Sequence, residues 1–171
     1  QAQGYLASTY LQQKRYAEAA RAFKKVLIRN PQNQAANYNL GLIALIQERP
    51  AAARNYFEQV LLKNPNDVPA LTGILECRLL LKQIPESRQL TSKLEGMLPA
   101  KDPRLFQLAT MLALYQQYDP AISILERVRQ AYPNSYEVNH NLALGYLRSG
   151  KYDQAVEVLE PLLGQSRAGE A

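Results

Sequence analysis

The chain has 171 residues and a formal net charge of +5, with 47% hydrophobic and 20% charged residues. That length holds one ordinary domain or a short repeat array, and that balance excludes a disordered tail and a membrane protein. The apolar run 40–46 is far too short to cross a bilayer.

The sequence opens on Gln1 without a basic-then-apolar leader, so it reads as an excerpt or a processed chain. The expected setting is a soluble bacterial protein, cytoplasmic or periplasmic/exported. The charge is local. Residues 1–30 carry Lys14, Arg15, Arg21, Lys24, Lys25 and Arg29 against Glu18 alone, and the rest of the chain balances fourteen basic with fourteen acidic residues. A pI of 9.3 therefore argues little for nucleic acid. The single cysteine, Cys77, allows no internal disulfide and no cysteine-cluster metal site, and among Leu75, Leu79 and Leu80 it reads as a small buried hydrophobe.

Taken in chain order, the elements repeat. Pro31, Pro65, Pro99 and Pro133 fall 34 residues apart, and aligned columns share that period: Leu6, Leu40, Ile74, Leu108 and Leu142; Ala19, Ala53, Ser87, Ala121 and Ala155; Val26, Val60, Leu94, Val128 and Leu162. The chain is expected to form one array of five repeats, approximately 1–33, 34–67, 68–101, 102–135 and 136–171, each a pair of helices. In the first repeat, Tyr16, Ala19, Ala20, Phe23, Val26 and Leu27 recur at three-and-four spacing, opposite Glu18, Arg21, Lys25 and Arg29. That second helix ends at Asn30-Pro31, since the residue before proline is pushed out of the helical region. Pro50, Pro85 and Pro120 open later second helices, and Pro69 and Pro103 open first helices. Pro161 falls late in the last helix, which is expected to kink or stop near Glu160.

Helices joined by a tight turn approach closely only where the facing residues are small, so Ala7 with Ala19, Gly41 with Ala53, Ala109 with Ala121 and Ala143 with Ala155 are the expected crossings. The third repeat departs from this. It has Leu75 and Ser87 at the crossing, and Thr91 and Glu95 where the first repeat carries Phe23 and Leu27. It should be the least regular joint.

The segment 16–23, YAEAARAF, followed by Val26-Leu27 and Pro31, with Asn39-Leu40-Gly41 and Asn141-Leu142-Ala143 in first helices, resembles the tetratricopeptide repeat family over essentially the whole chain. There is no tryptophan; the column where the family often has one holds Gln3, Asn37, Leu71, Leu105 and Asn139. The resemblance implies an all-α fold, a right-handed α-solenoid of five helix-turn-helix repeats with first helices lining a concave groove and second helices outside. It also implies a non-catalytic scaffold that binds a protein or peptide. By the family's geometry the groove residues are Tyr38, Asn39, Leu42, Leu45, Thr72 and Glu76 in the earlier repeats. Phe106, Thr110, Leu114, His140, Asn141, Leu144 and Arg148 follow in the later ones, with Ile46, Leu79, Leu80, Ala113 and Leu147 in the same columns. Tyr38 and Phe106 would be anchors for an amphipathic helix or an extended apolar peptide. The same leucines serve equally to pack first helix on first helix. Some family members grip a C-terminal carboxylate with lysine, arginine and asparagine; here the partner columns hold Gly4, Ser8, Pro69 and Gly73, so that clamp is not expected. Asn39 and Asn141 are left to bond a bound backbone or to serve the helix crossing.

Lys14, Arg21, Lys25 and Arg29 form an outer stripe, read first as a solvated face and second as an acidic docking site. Lone His140 makes neither a triad nor a metal site. No cysteine/histidine cluster, phosphate loop or supported carboxylate pair occurs, so no catalytic residue, metal or cofactor is expected. Nucleic acid and membrane are not expected partners. RNA binding of the related pentatricopeptide kind calls for a longer period and polar groove residues. The alternative function is self-association: a homo-oligomer through the array ends, within a larger assembly, because ends without polar caps invite end-to-end packing.

Overall fold

The computed structural model describes the backbone of residues 2–168 and the side chains of residues 2–162. Gln1 and residues 169–171 of the two outer repeats lie outside the described residues. The described residues form ten helices and no strand. First and second helices alternate as α1 Ala2–Gln12, α2 Tyr16–Arg29, α3 Gln34–Ile46, α4 Pro50–Lys63, α5 Val68–Leu80, α6 Ile84–Met97, α7 Pro103–Leu114, α8 Tyr118–Ala131, α9 Tyr136–Arg148 and α10 Tyr152–Ala168. The fold is an all-α repeat array, and the thirty-four-residue period places every helix pair.

The helices gather into two compact units, Gln1–Leu90 and Thr91–Ala171. The division falls inside α6, in the repeat where Ser87, Thr91 and Glu95 interrupt the columns. In the first unit, α1 packs on α2, α2 on α3, α3 on α4 and α4 on α5, and in the second α7 packs on α8, α8 on α9 and α9 on α10. Ala7, Ala19, Ala53, Ala109, Ala121, Ala143 and Ala155 are all buried, as close helix crossings require. At Gly41 the nearest atoms belong to Phe57. A β-carbon there would lie 2.6 Å from the Phe57 ring, and one at Gly73 would lie 2.6 Å from the same ring. The buried Phe57 of α4 is thus held between α3 and α5 by two glycines, which admit a ring where any side chain would collide.

Each helix-pair turn is the same motif at the same register. Lys14, Glu48, Lys82, Gln116 and Gly150 adopt positive φ between 55° and 77°, and the following N–H reaches back five residues: Arg15 to the Tyr10 carbonyl, Arg49 to Ala44, Gln83 to Arg78, Gln117 to Leu112 and Lys151 to Tyr146. This is the Schellman termination, which satisfies carbonyls the helix end would leave bare. The first helices α3, α5, α7 and α9 start on side-chain caps. Asn33 accepts from the Ala36 N–H, Asp67 from Ala70, Asp102 from Arg104 and Ser135 from Val138.

The asparagines in the tryptophan column are structural. Asn37 is buried and its Nδ2 donates to the carbonyls of Pro31 (2.9 Å) and Asn33 (3.1 Å). Asn139 repeats this with Pro133 (2.8 Å) and Ser135 (2.9 Å). Each ties the proline turn to the helix it introduces. Of the kink or stop expected near Glu160, the stop is corrected: α10 runs through Pro161 to Ala168. A proline's fixed φ suits a helix, and the hydrogen bond it removes is the one to the Glu157 carbonyl. Glu157 is exposed, so water is at hand for that group.

Candidate functional site

The expected groove residues fall on first helices of both units, and each unit is described by itself. In the first unit α3 lies against α5 and presents Tyr38, Asn39, Leu42 and Leu45, all half-buried, with Thr72 and Glu76 half-buried on α5. Ile46 and Leu80 at their C-terminal ends are exposed. Leu79 is buried in the core, which is the packing role of the two left open for these leucines. Tyr38 is more than a surface ring. It packs on Phe57 with ring centroids 5.7 Å apart and a 58° tilt, and burial, aided by the Asp67 and Glu76 carboxylates, pushes its phenol pKa up. Asn39 already spends its amide on its own helix, donating to the Ala35 carbonyl at 2.8 Å.

A cleft of about 440 Å³ opens where α1, α2 and α3 meet. Tyr5, Phe23 and Val26 give it apolar walls, and Ser8, Asn33 and Asn39 are its polar groups. Asn39 is among the expected groove residues, whereas Gly4 and Ser8 stand in the sequence only as positions that lack a cation. The signal for the cleft is there nonetheless: Gly4 and Ser8 on α1 face Ala35 and Ala36 on α3, and small residues on converging helices leave room.

In the second unit α7 lies against α9. Phe106 and Thr110 are half-buried on α7, and Leu114 is exposed at its end. Thr110 Oγ1 donates to the Gln107 carbonyl at 2.9 Å. On α9, His140, Leu144, Leu147 and Arg148 are exposed, while Asn141 is half-buried and donates to the Glu137 carbonyl at 2.8 Å. His140 stacks on Tyr136, centroids 5.7 Å apart and planes within 19°. Tyr136, exposed at the start of α9, extends this stripe and was not anticipated. Spacing alone put it one turn before His140 on the same face.

The remaining chemistry is structural. The buried Cys77 thiol is pushed up to about 11, mainly by burial, which leaves it protonated and inert at neutral pH. Tyr146 donates to the Glu126 carboxylate, and burial together with that partner raises it to about 12. Arg127 of α8 donates to the carbonyls of Glu95 and Leu98 at 2.8 Å each, closing the end of α6. Among the described residues no group of three or more His, Cys, Asp and Glu side chains is placed to hold a metal. No helix there is long and apolar enough to cross a membrane.

Known proteins bear on this arrangement as follows. No curated protein matches the chain. The crystal structure of MamA superposes with a TM-score of 0.74 at 16% identity, covering 97% of this chain and 91% of that one. YrrB, described as a TPR protein with an unusual peptide-binding site, superposes at 0.66 with 18% identity over 92% of this chain and 81% of its own. TTC0263, a thermophilic TPR protein of Thermus thermophilus, does so at 0.65 with 21% identity over 97% and 91%. At such identities the likeness is one of fold. Sequence profiles described as tetratricopeptide repeat match residues 6–69 in one case and residues 44–112 and 112–170 in another. With its period, its helix pairs and these matches all coinciding, the chain belongs to the tetratricopeptide repeat family.

Proposed function

We propose that this chain is a non-catalytic scaffold whose first helices hold a protein or peptide partner. The carrying observation is the 440 Å³ cleft of the first unit. Its apolar walls and few polar groups match a site that takes an apolar side chain and fixes the backbone beside it. The likeness to YrrB supports the peptide reading at the level of fold. On this reading the exposed Leu114 and Leu144 of the second unit are further contacts, whereas Tyr38 has a share in packing through Phe57.

The test is a titration of the partner isolated from the source cell. Ser8→Trp, which fills the cleft from an exposed position, should weaken binding about tenfold or more while the thermal melt stays at the wild-type value. Leu114→Asp with Leu144→Asp should weaken it similarly. Unchanged affinity in both variants would sink the proposal.

A further inference from the structure

The local excess of positive charge lies on α2, and there it surrounds an apolar tip. Ile28 is 80% exposed. At about 100° per residue it falls in the middle of the outer arc of α2, with Lys24 on one side and Arg21 and Lys25 on the other. All three cations are exposed, as is Arg29 next to Ile28. This side is the outer one by the plan of the repeat: one repeat on, the equivalents Asn55, Glu58, Gln59 and Leu62 of α4 are exposed too. Leu62 is 70% exposed, with the exposed Lys63 beside it. Both α2 and α4 pack on α3, so the two aliphatic tips project from neighbouring helices at one register. A single exposed aliphatic residue would be ordinary. Two at the same register, rimmed by cations, form a pattern that solvation alone does not call for.

The acids of the two helices are already engaged. Glu18 is held by Arg15 at 2.9 Å and Glu58 by Arg54 at 3.5 Å. None of the ion pairs among the described residues uses Arg21, Lys24, Lys25 or Arg29. Four uncompensated cations around an aliphatic tip call for a partner that is anionic and also takes up hydrocarbon. On a protein, a recess would have to be shaped for each tip. A bilayer surface offers anionic headgroups over a hydrocarbon layer everywhere along a plane, so it meets both helices at once. We infer that the outer face of α2, continued by Leu62 of α4, docks on an anionic lipid surface. Ile28 and Leu62 enter the boundary between headgroups and acyl chains, and Arg21, Lys24, Lys25 and Arg29 lie among the headgroups. A membrane was not an expected partner because no apolar run is long enough to cross one. Lying on a bilayer asks only for exposed apolar tips and cations.

Flotation of the purified chain with vesicles tests this. Phosphatidylcholine vesicles containing about one third phosphatidylserine should capture it about tenfold better than phosphatidylcholine alone, and added salt should release it. Lys24→Glu with Lys25→Glu should abolish capture. Lys82→Glu with Lys101→Glu, equally exposed and equal in charge, should leave most of it. Ile28→Ser and Leu62→Ser change no charge, and each should weaken capture about threefold or more. Helicity by circular dichroism checks the fold; should the charge reversal unfold the chain, Lys24→Gln with Lys25→Gln replaces it. No preference for anionic vesicles, an equal loss in the Lys82 and Lys101 control, or undiminished capture of the serine variants overturns the inference. Capture of soluble poly-glutamate without capture of vesicles also overturns it, by assigning the face to an acidic protein. The variants at Ser8, Leu114 and Leu144 lie on first helices and leave this face intact, so the two proposals fail separately.

Discussion

A methyl group at Gly73 would have to share space with the Phe57 ring, whose nearest atoms stand 2.6 Å from the β-carbon position. The ring is fully buried and has Gly41 against its opposite edge, so it has nowhere to retreat. Gly73→Ala should therefore destabilise the chain by about 2–3 kcal/mol, the cost of overpacking a tight site, as read by denaturant unfolding. Phe57→Leu should recover part of that loss in a double-mutant cycle; strictly additive effects would show that the ring does not oppose Gly73. This residue-scale feature was only half legible. Gly41 stood in a small-residue column and was paired with Ala53, while Gly73 stood at a position where a cation was sought. Nothing in the sequence said that one aromatic side chain fills both vacancies, because glycine marks a close approach without naming what approaches.

At the scale of the element, the five helix-pair turns differ in one respect: four place Lys14, Glu48, Lys82 or Gln116 at positive φ and the fifth places Gly150 there. A side chain in that conformation costs about 1 kcal/mol. Gly150→Ala should accordingly destabilise by about 1 kcal/mol, and Glu48→Gly should gain a few tenths, its relief offset by the freer unfolded chain; thermal melts of both variants check the pair of signs. The cap of α7 supplies a pH signature. The hydrogen bonds from Arg104 hold the Asp102 carboxyl down from 3.8 to about 2. A carboxylate with a depressed folded pKa stabilises above its unfolded value and loses that contribution as pH falls through the folded one. The melting temperature should thus drop between about pH 4 and 2, and Asp102→Asn, which keeps the cap, should flatten that part of the profile. An unaltered profile would mean that the pair is too well solvated to matter.

At the scale of the whole molecule, sequence and structure divide the work between them. The prolines at 34-residue spacing fixed where helices end, since the conformational limits of proline and of the residue before it act locally and need no partner. The alternation of apolar faces then fixed which side of each second helix is buried, and the small columns fixed where helices cross. All of this is periodic, so all of it was readable from one chain. What escaped was of two kinds: Tyr38 leaning on Phe57, which depends on two separated helices meeting, and local geometry that the pattern did not name, namely Asn37 and Asn139 tying down proline turns and α10 carrying on past Pro161. The cleft where α1, α2 and α3 meet belongs to the first kind. By itself the sequence determined the repeat, its helices and its family, because those follow from backbone chemistry and local amphipathic pattern. Only the tertiary structure decided which apolar side chains are covered and which are left facing water, because coverage is set by the particular side chains that adjoining helices bring to each position.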